Sequence, residues 1–98
     1  MARIRFSQGA FLSLSRIVEF TKKTNAADTG IIVATIEDGI RILGRHPLMG
    51  RLCEEGLREL VISRGRSGFV ALYEYRDEVD ETWILAIRHQ REAGYTEG

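Results

Sequence analysis

The first quarter of the chain combines two hydrophobic periodicities. Polar and apolar residues alternate over Arg3–Phe6, which predicts a short, half-buried β-strand. Ser7 follows as a suitable N-cap, because a serine hydroxyl accepts hydrogen bonds from the first turn of a helix. Apolar residues then recur at helical spacing up to the polar stretch that begins at Thr21. The pattern therefore predicts a strand followed by a helix that runs to about Thr24.

A second helix is predicted directly after the first. Asn25 is a candidate N-cap, the helix begins at Ala26, and Gly44 ends it. Its apolar stripe consists of Ile32, Ile36, Ile40 and Leu43. Gly30 and Gly39 each cost about 1 kcal/mol relative to alanine inside a helix, so either the helix is marginal or a neighbour packs closely there, and the favoured prediction is close packing of the two helices. The short connection between the helices predicts an antiparallel helical hairpin.

The second half of the chain predicts a β-meander. Three apolar-rich runs occupy residues 57–63, 69–75 and 82–88, and turn-forming residues separate them. Alternation assigns one set of side chains to the face that the helices cover: Leu60, Ile62, Val70, Leu72, Trp83, Leu85 and Ile87. The more open face receives Glu59, Val61, Tyr73, Tyr75, Ile84 and Arg88. The expected fold class is α+β, in which a short strand and a helical hairpin precede a three-stranded antiparallel meander and the helices pack on one sheet face.

Length and composition fit one globular domain over residues 1–98. An apolar share of 44% is ordinary for such a domain, and a chain of this length forms one core. The 14 Lys and Arg balance the 14 Asp and Glu, whereas a dedicated nucleic-acid-binding domain usually carries a positive excess. The lone Cys53 and the absence of a long apolar run indicate a cytoplasmic protein without a leader peptide or membrane span.

Metal and cofactor chemistry finds little support in the sequence. His46, Cys53 and His89 are the only thiol or imidazole ligands, and their spacing matches no zinc module. No glycine-rich phosphate loop lies between a strand and a helix, so no nucleotide cofactor is expected, and no other cofactor is predicted. Cys53 is interpreted as a small buried thiol rather than as a nucleophile activated by His46.

The densest polar cluster lies directly after the last predicted strand. It consists of Arg88, His89, Gln90, Arg91, Glu92 and Tyr95. Such groups can perform acid–base chemistry on a phosphodiester without a metal, because arginines stabilise charge while His, Glu or Tyr side chains move protons. A solvated C-terminal cap is an equally good interpretation. The basic turn at residues 64–68 likewise either cradles an anion or is a solvated hairpin tip.

Several motifs resemble one known family. They are His46-Pro47, Gly50-Arg51, the run GLRELV at residues 56–61 and the ending RHQREAGY at residues 88–95. Together they resemble the RelE/ParE toxins of bacterial type II toxin-antitoxin systems, a group associated with plasmid stabilisation, across nearly the whole chain. The resemblance implies the fold predicted above and a cognate antitoxin protein that wraps the toxin in a hetero-oligomer.

Members of this family differ in their target. RelE-like members are ribosome-dependent mRNA endonucleases that use basic residues on the sheet with arginine and tyrosine near the C-terminus, whereas ParE-like members poison DNA gyrase. Arg91 and Tyr95 match the nuclease pattern, and Arg58 matches one basic strand position. Val70 stands where the nucleases place an arginine, and a second basic position is apolar or acidic here, within residues 59–61. Each such loss costs a nuclease a factor of about 100 to 1,000, which favours gyrase as the target.

The resulting prediction is a toxin that poisons DNA gyrase by binding, with a ribosome-dependent and metal-independent mRNA endonuclease as the alternative. Candidate catalytic residues of the nuclease are Arg58, Arg88, His89, Arg91 and Tyr95. Candidate target-binding residues are Arg58, Arg88, Gln90, Arg91, Glu92 and Tyr95. A third hypothesis is a non-toxic module that only sequesters an antitoxin.

Overall fold

The elements of the chain follow the predicted order. The computed structural model describes residues 1–62 and 68–91, so most of the basic turn predicted at residues 64–68 lies outside the described part. The elements are β1 (Arg3–Phe6), α1 (Gln8–Asn25), a 3-10 turn (Ala26–Asp28), α2 (Thr29–Arg41), a second 3-10 turn (Ile42–Gly44), β2 (Arg51–Leu52), a third 3-10 turn (Glu54–Gly56), β3 (Arg58–Ile62), β4 (Phe69–Arg76) and β5 (Glu81–His89). The predicted α+β fold is confirmed, and β2 is an addition to it.

The five strands form one mixed sheet in the order β1-β5-β4-β3-β2. The strands β3, β4 and β5 are antiparallel neighbours, and the two-residue β2 pairs antiparallel with β3 at the edge. In contrast, β1 pairs with β5 in parallel, with Arg3 opposite Glu81 and Phe6 opposite Ile84. Helix α1 packs over β5 and α2 over β3, so the helical hairpin covers one face of the sheet.

The first helix begins where the sequence predicts. The Ser7 hydroxyl accepts a hydrogen bond from the Ala10 amide at 3.1 Å, which confirms the N-cap. The same hydroxyl donates to the carbonyl oxygen of Leu85 at 3.2 Å. This bond ties the start of α1 to β5, and Ala10 and Ser13 are buried on the side of the helix that faces the sheet.

The second helix starts later than predicted. The Asn25 side chain does not cap a helix but donates from Nδ2 to the carboxylate of Asp28 at 2.9 Å. The chain first makes the 3-10 turn over Ala26–Asp28, and α2 then begins at Thr29. The predicted stripe is confirmed, since the core contains Ile36, Ile40 and Leu43 with Ile32 packed against it.

The helical glycines do not mediate helix–helix contact, so that prediction is wrong. A Cβ on Gly39 would lie 2.5 Å from Cγ2 of Ile62, which means that α2 approaches strand β3 at this point. A Cβ on Gly30 would meet no atom within 4 Å. The close approach is therefore between a helix and the sheet, and it involves one glycine of the two.

The predicted faces of the sheet are partly wrong. The residues predicted beneath the helices and found there are Leu60, Ile62 and Ile87. The residues predicted on the open face that instead lie on the covered face are Tyr73, Tyr75 and Ile84, and Tyr73 and Ile84 are fully buried. The residues predicted beneath the helices that are not part of the core cluster are Val70, Leu72, Trp83 and Leu85.

A β-bulge explains the error on β5. Leu72 pairs with Ala86 and Tyr73 pairs with Ile84, so Leu85 is an extra residue without a partner across the ladder. Simple alternation assumes that residues on one face are an even number of positions apart. Across the bulge the spacing is odd, so Ile84 and Ile87 share the covered face. On β4 both faces carry apolar side chains, so alternation alone could not identify the covered one.

Among residues 1–62 and 68–91, no helix is long and apolar enough to cross a membrane. The same part of the chain holds no group of three or more His, Cys, Asp or Glu side chains that could bind a metal ion.

Candidate functional site

Arg88 lies on the open face of the sheet, as predicted, in contact with an acidic residue. Its Nη2 is 3.9 Å from Oε2 of Glu59, and Glu59 also accepts a hydrogen bond from Arg51 Nη2 at 2.6 Å. The Arg88 Nη1 donates to the carbonyl oxygens of His89 and Gln90 at 3.2 and 3.3 Å. The guanidinium is therefore engaged with its own strand end and with a carboxylate that offsets its charge.

His89 lies on the opposite face from Arg88. Its ring packs edge-on against Phe69, with ring centroids 5.4 Å apart, and its Nδ1 accepts a hydrogen bond from the Arg91 amide at 3.1 Å. Gln90 and Arg91 are exposed, and the Gln90 amide donates to the Gly68 carbonyl oxygen at 2.8 Å. Glu92 and Tyr95 fall outside the described residues.

Arg58 is far from Arg88 and faces the other side of the sheet. It pairs with Tyr73 across β3 and β4, whereas Arg88 pairs with Val70. Three residues along β4 correspond to about 10 Å. The neighbour of Arg58, Glu59, contacts Arg88 on the open face, so alternation places Arg58 on the covered face. Arg58, Arg88 and His89 belong to the predicted nuclease centre. The structure thus does not bring these three residues together.

The Arg58 guanidinium binds the backbone of the loop before β2, so these donors are not available to a ligand. Its Nη1 donates to the carbonyl oxygens of Leu48 at 3.2 Å and Gly50 at 2.9 Å. The hydroxyl of Tyr73 donates to the Pro47 carbonyl oxygen and accepts from the Gly50 amide, both at 2.8 Å. We call residues 46–50 the latched loop, because these two side chains fix its backbone between α2 and β2.

Tyr73 was missed by the sequence analysis, which assigned it to the open face. It is fully buried, and desolvation raises the pKa of its phenol despite the Gly50 amide and the Arg58 charge. The hydroxyl therefore stays protonated, as its bond to Pro47 requires. The sequence contains one sign that the loop bound by Tyr73 is unusual. Two large apolar residues stand between Pro47 and Gly50, in a loop where polar residues are the rule.

Cys53 is unsuited to nucleophilic catalysis. Its side chain is half-buried, in contrast to the predicted buried thiol, and it donates to the Arg51 carbonyl oxygen at 3.5 Å. Desolvation raises the pKa of Cys53, and hydrogen bonding to Glu59 raises it further. Because the thiolate is the reactive form, this environment disfavours the chemistry that a cysteine nucleophile needs.

A charged cluster on the open face joins β1 to β5. Glu81 accepts hydrogen bonds from Trp83 Nε1 at 3.1 Å and Arg5 Nε at 3.2 Å, and Arg3 Nη2 lies 3.6 Å away. The Arg76 guanidinium stacks over the Trp83 ring, 4.8 Å from its centroid. The Trp83 hydrogen bond and the two arginines of β1 together lower the pKa of Glu81, although desolvation acts in the opposite direction.

The lowered pKa predicts an acid-sensitive contribution of Glu81 to stability. The folded state binds the Glu81 proton less readily than the unfolded state, where the pKa is near 4.5. The contribution is therefore complete above about pH 4.5 and is lost as the pH falls through the lower pKa of the folded state. We expect Glu81→Gln to lose less stability between pH 6 and pH 3 than the wild type, in urea melts over that range. Trp83→Phe should fall between the two, and identical pH profiles for wild type and Glu81→Gln would contradict the assignment.

Two apolar grooves run beside the helical hairpin. The edge groove has a volume of about 400 Å³ and is lined by Ile4, Phe6, Phe11, Leu14, Glu37, Ile40 and Arg41. The hairpin groove has a volume of about 550 Å³, and its apolar lining includes Ile17, Phe20, Ile32, Phe69 and Ile87. Its polar lining includes Arg16, Asp28, His89 and Arg91. Phe11 and Phe20 remain mostly exposed, so each groove carries an aromatic ring that a bound segment would cover.

Comparisons with known proteins agree with this architecture. The family model described as the ParE toxin of type II toxin-antitoxin system, parDE, matches residues 4–94. The chain is similar to a solved structure of the chromosomal ParDE toxin-antitoxin system from P. aeruginosa, with a TM-score of 0.76 and 22% identity over 91% of this chain and 96% of that one. It is also similar to the toxin-antitoxin complex RelBE2 from Mycobacterium tuberculosis, with a TM-score of 0.65 and 22% identity over 93% of each chain. Comparison with curated proteins finds no match.

Proposed function

The chain belongs to the ParE toxin family of type II toxin-antitoxin systems, and on this premise we propose that it arrests growth by binding and poisoning DNA gyrase. A cognate antitoxin binds it and suppresses this activity. The toxin acts by occupying gyrase after DNA cleavage, so that the broken strands are not resealed. No chemical step on the toxin is required, and no metal or cofactor takes part.

The observation that supports binding over catalysis is the separation of the predicted nuclease residues. Transition-state stabilisation requires donors that converge on one point where charge develops. Arg58 instead donates to loop carbonyls on the covered face, and Arg88 contacts Glu59 on the open face. His89 packs against Phe69 and accepts from the backbone. Arg91 is exposed and lies at the edge of the hairpin groove.

The antitoxin, in this proposal, lies along the two grooves. A helix or strand that folds on binding buries apolar side chains in a concave surface, and the grooves offer Phe11 and Phe20 for this purpose. Among the described strands, β1 has β5 as its one neighbour, so its other edge is open to an added strand. A segment bound there would also stabilise the toxin by mass action.

The proposal predicts that the toxin causes cleaved DNA to accumulate and leaves mRNA uncut. We expect toxin separated from its antitoxin to accumulate linear DNA when incubated with gyrase, ATP and supercoiled plasmid, and added antitoxin to abolish this product. A translation-coupled mRNA cleavage assay, run in parallel, should show uncut message. Cut message with untouched plasmid, lost in Arg91→Ala, would establish the endonuclease instead. Absence of growth arrest on expression without antitoxin would favour a sequestering module.

A further inference from the structure

The latched loop carries an exposed apolar patch at its tip. Leu48 is 58% exposed and Met49 is 54% exposed, and Leu52 on the adjoining β2 is 58% exposed. We call these three side chains the loop patch. They belong to one end of the sheet, because Arg58 pairs with Leu52 across the strands and binds the Leu48 carbonyl oxygen with its guanidinium.

The loop that carries the patch is held rigidly. Tyr73 and Arg58 bind Pro47, Leu48 and Gly50 through four hydrogen bonds of 2.8 to 3.2 Å, and the Met49 amide donates to the His46 carbonyl oxygen at 3.1 Å. A fixed backbone loses little conformational entropy when a partner binds, so the apolar contacts are not offset by ordering of the loop. Rigid display of large apolar side chains is what an interface hot spot requires.

The size of the patch argues for a larger partner and against a second copy of the chain. Its three side chains are each between 54% and 58% exposed, so the patch offers the apolar area of three residues, compared with about 20–30 residues on each side of a standard interface. A stable dimer buries about 800 Å² on each side, so self-association through the patch alone would be weak. The area instead fits the central anchor of a broader interface whose rim is polar. Arg45, Arg51, Glu54 and Glu55 supply exposed charges of both signs around it.

The shape of the patch distinguishes its partner from the antitoxin. None of the three residues lines the edge groove or the hairpin groove. Concave grooves suit a segment that folds on binding, whereas side chains that are more than half exposed on a rigid loop suit a preformed pocket in a folded protein. We propose that the loop patch is the anchor by which the toxin inserts into a pocket on DNA gyrase. This inference rests on the proposed function and names the surface that performs it.

The test compares polar variants at two exposed sites. Leu48→Ser/Met49→Ser removes two of the three side chains of the patch, and Val79→Ser changes an exposed apolar residue, 46% accessible, in the turn between β4 and β5. Affinities for immobilised gyrase and for the antitoxin are measured separately on each full-length toxin. We expect the double variant to bind gyrase at least tenfold more weakly and to bind the antitoxin within twofold of wild type. Val79→Ser should match wild type for both partners.

Each of the other results would overturn a different part of the proposal. Unchanged gyrase affinity in the double variant would overturn the loop patch and leave the proposed function intact. An equal loss of affinity for the antitoxin would assign the patch to the antitoxin. Wild-type toxin that binds no gyrase at all would overturn both the patch and the proposed function. Sedimentation of the wild type as a dimer that the double variant dissociates would assign the patch to a second copy of the chain.

Discussion

Gly50→Ala is expected to lower the free energy of unfolding by about 3–5 kcal/mol. A Cβ at this position would lie 2.6 Å from Cε1 and 2.7 Å from the hydroxyl oxygen of Tyr73, and 2.7 Å from the carbonyl oxygen of Glu59. The first two atoms belong to the buried side chain of Tyr73 and the third to strand β3, so none can move without disturbing the core. Displacing the ring also breaks its bonds to Pro47 and Gly50 and leaves buried polar groups without partners.

Urea unfolding followed by the fluorescence of the single tryptophan, Trp83, measures this loss. Gly30→Ala is the matched control, because nothing lies within 4 Å of its Cβ position. Removing a glycine from α2 should stabilise the chain by about 0.5 kcal/mol. If Gly50→Ala lowers the free energy of unfolding by less than 1 kcal/mol, the loop and Tyr73 separate at little cost. The loop patch would then not be held rigidly.

Ile36→Ala is expected to cost about 3–4 kcal/mol of the free energy of unfolding. Ile36 is fully inaccessible on the sheet-facing side of α2, and it packs within the core cluster that includes Leu60, Ile62 and Tyr73. Truncation removes the transfer free energy of three carbon atoms and leaves a cavity that the stiff β-sheet cannot fill. Because a domain of 98 residues has a total stability of about 5–15 kcal/mol, the variant should lose a large share of its stability.

The exposed residue Ile31 provides the control on the same helix. It is 66% accessible, so Ile31→Ala should change the free energy of unfolding by less than about 0.5 kcal/mol. Saturating antitoxin should raise the denaturation midpoint of Ile36→Ala by mass action, because only the folded toxin offers the grooves. Equal effects of Ile36→Ala and Ile31→Ala would contradict the burial that separates the two positions.

Periodicity was sufficient to predict both helices and four of the five strands of this fold. The stripe Ile32, Ile36, Ile40 and Leu43 is amphipathic at helical spacing, and the Ser7 cap marks the start of α1, so local signals and tertiary packing agree. The faces of β4 and β5 were not predictable in the same way. Their assignment depends on one bulged residue, Leu85, and on which of two apolar faces of β4 meets the helices. Both are decided by pairing between strands, which local alternation does not contain.

The sequence was sufficient to identify the residues of the candidate site but not their positions relative to one another. Arg58 and Arg88 were both identified, yet the register of the sheet directs them to opposite faces. The partner of the latched loop is Tyr73, which is 23 positions from Gly50 and 26 from Pro47. Hydrogen bonds across such separations depend on the assembled fold, so no local pattern predicts them. The resemblance to a toxin family supplied the identity that the residues alone left open.

The parallel pairing of β1 with β5 also bears on how the protein is made. Arg5 and Glu81, which join these strands, are 76 residues apart. Such a contact has a high contact order and forms late, because a long loop must close before any pairing is gained. During translation β1 has no strand beside it until β5 emerges. Ile4 and Phe6, which form one wall of the edge groove, therefore reach their final positions only after β5 has been synthesised. A nascent or prematurely terminated chain that lacks β5 therefore cannot form that groove.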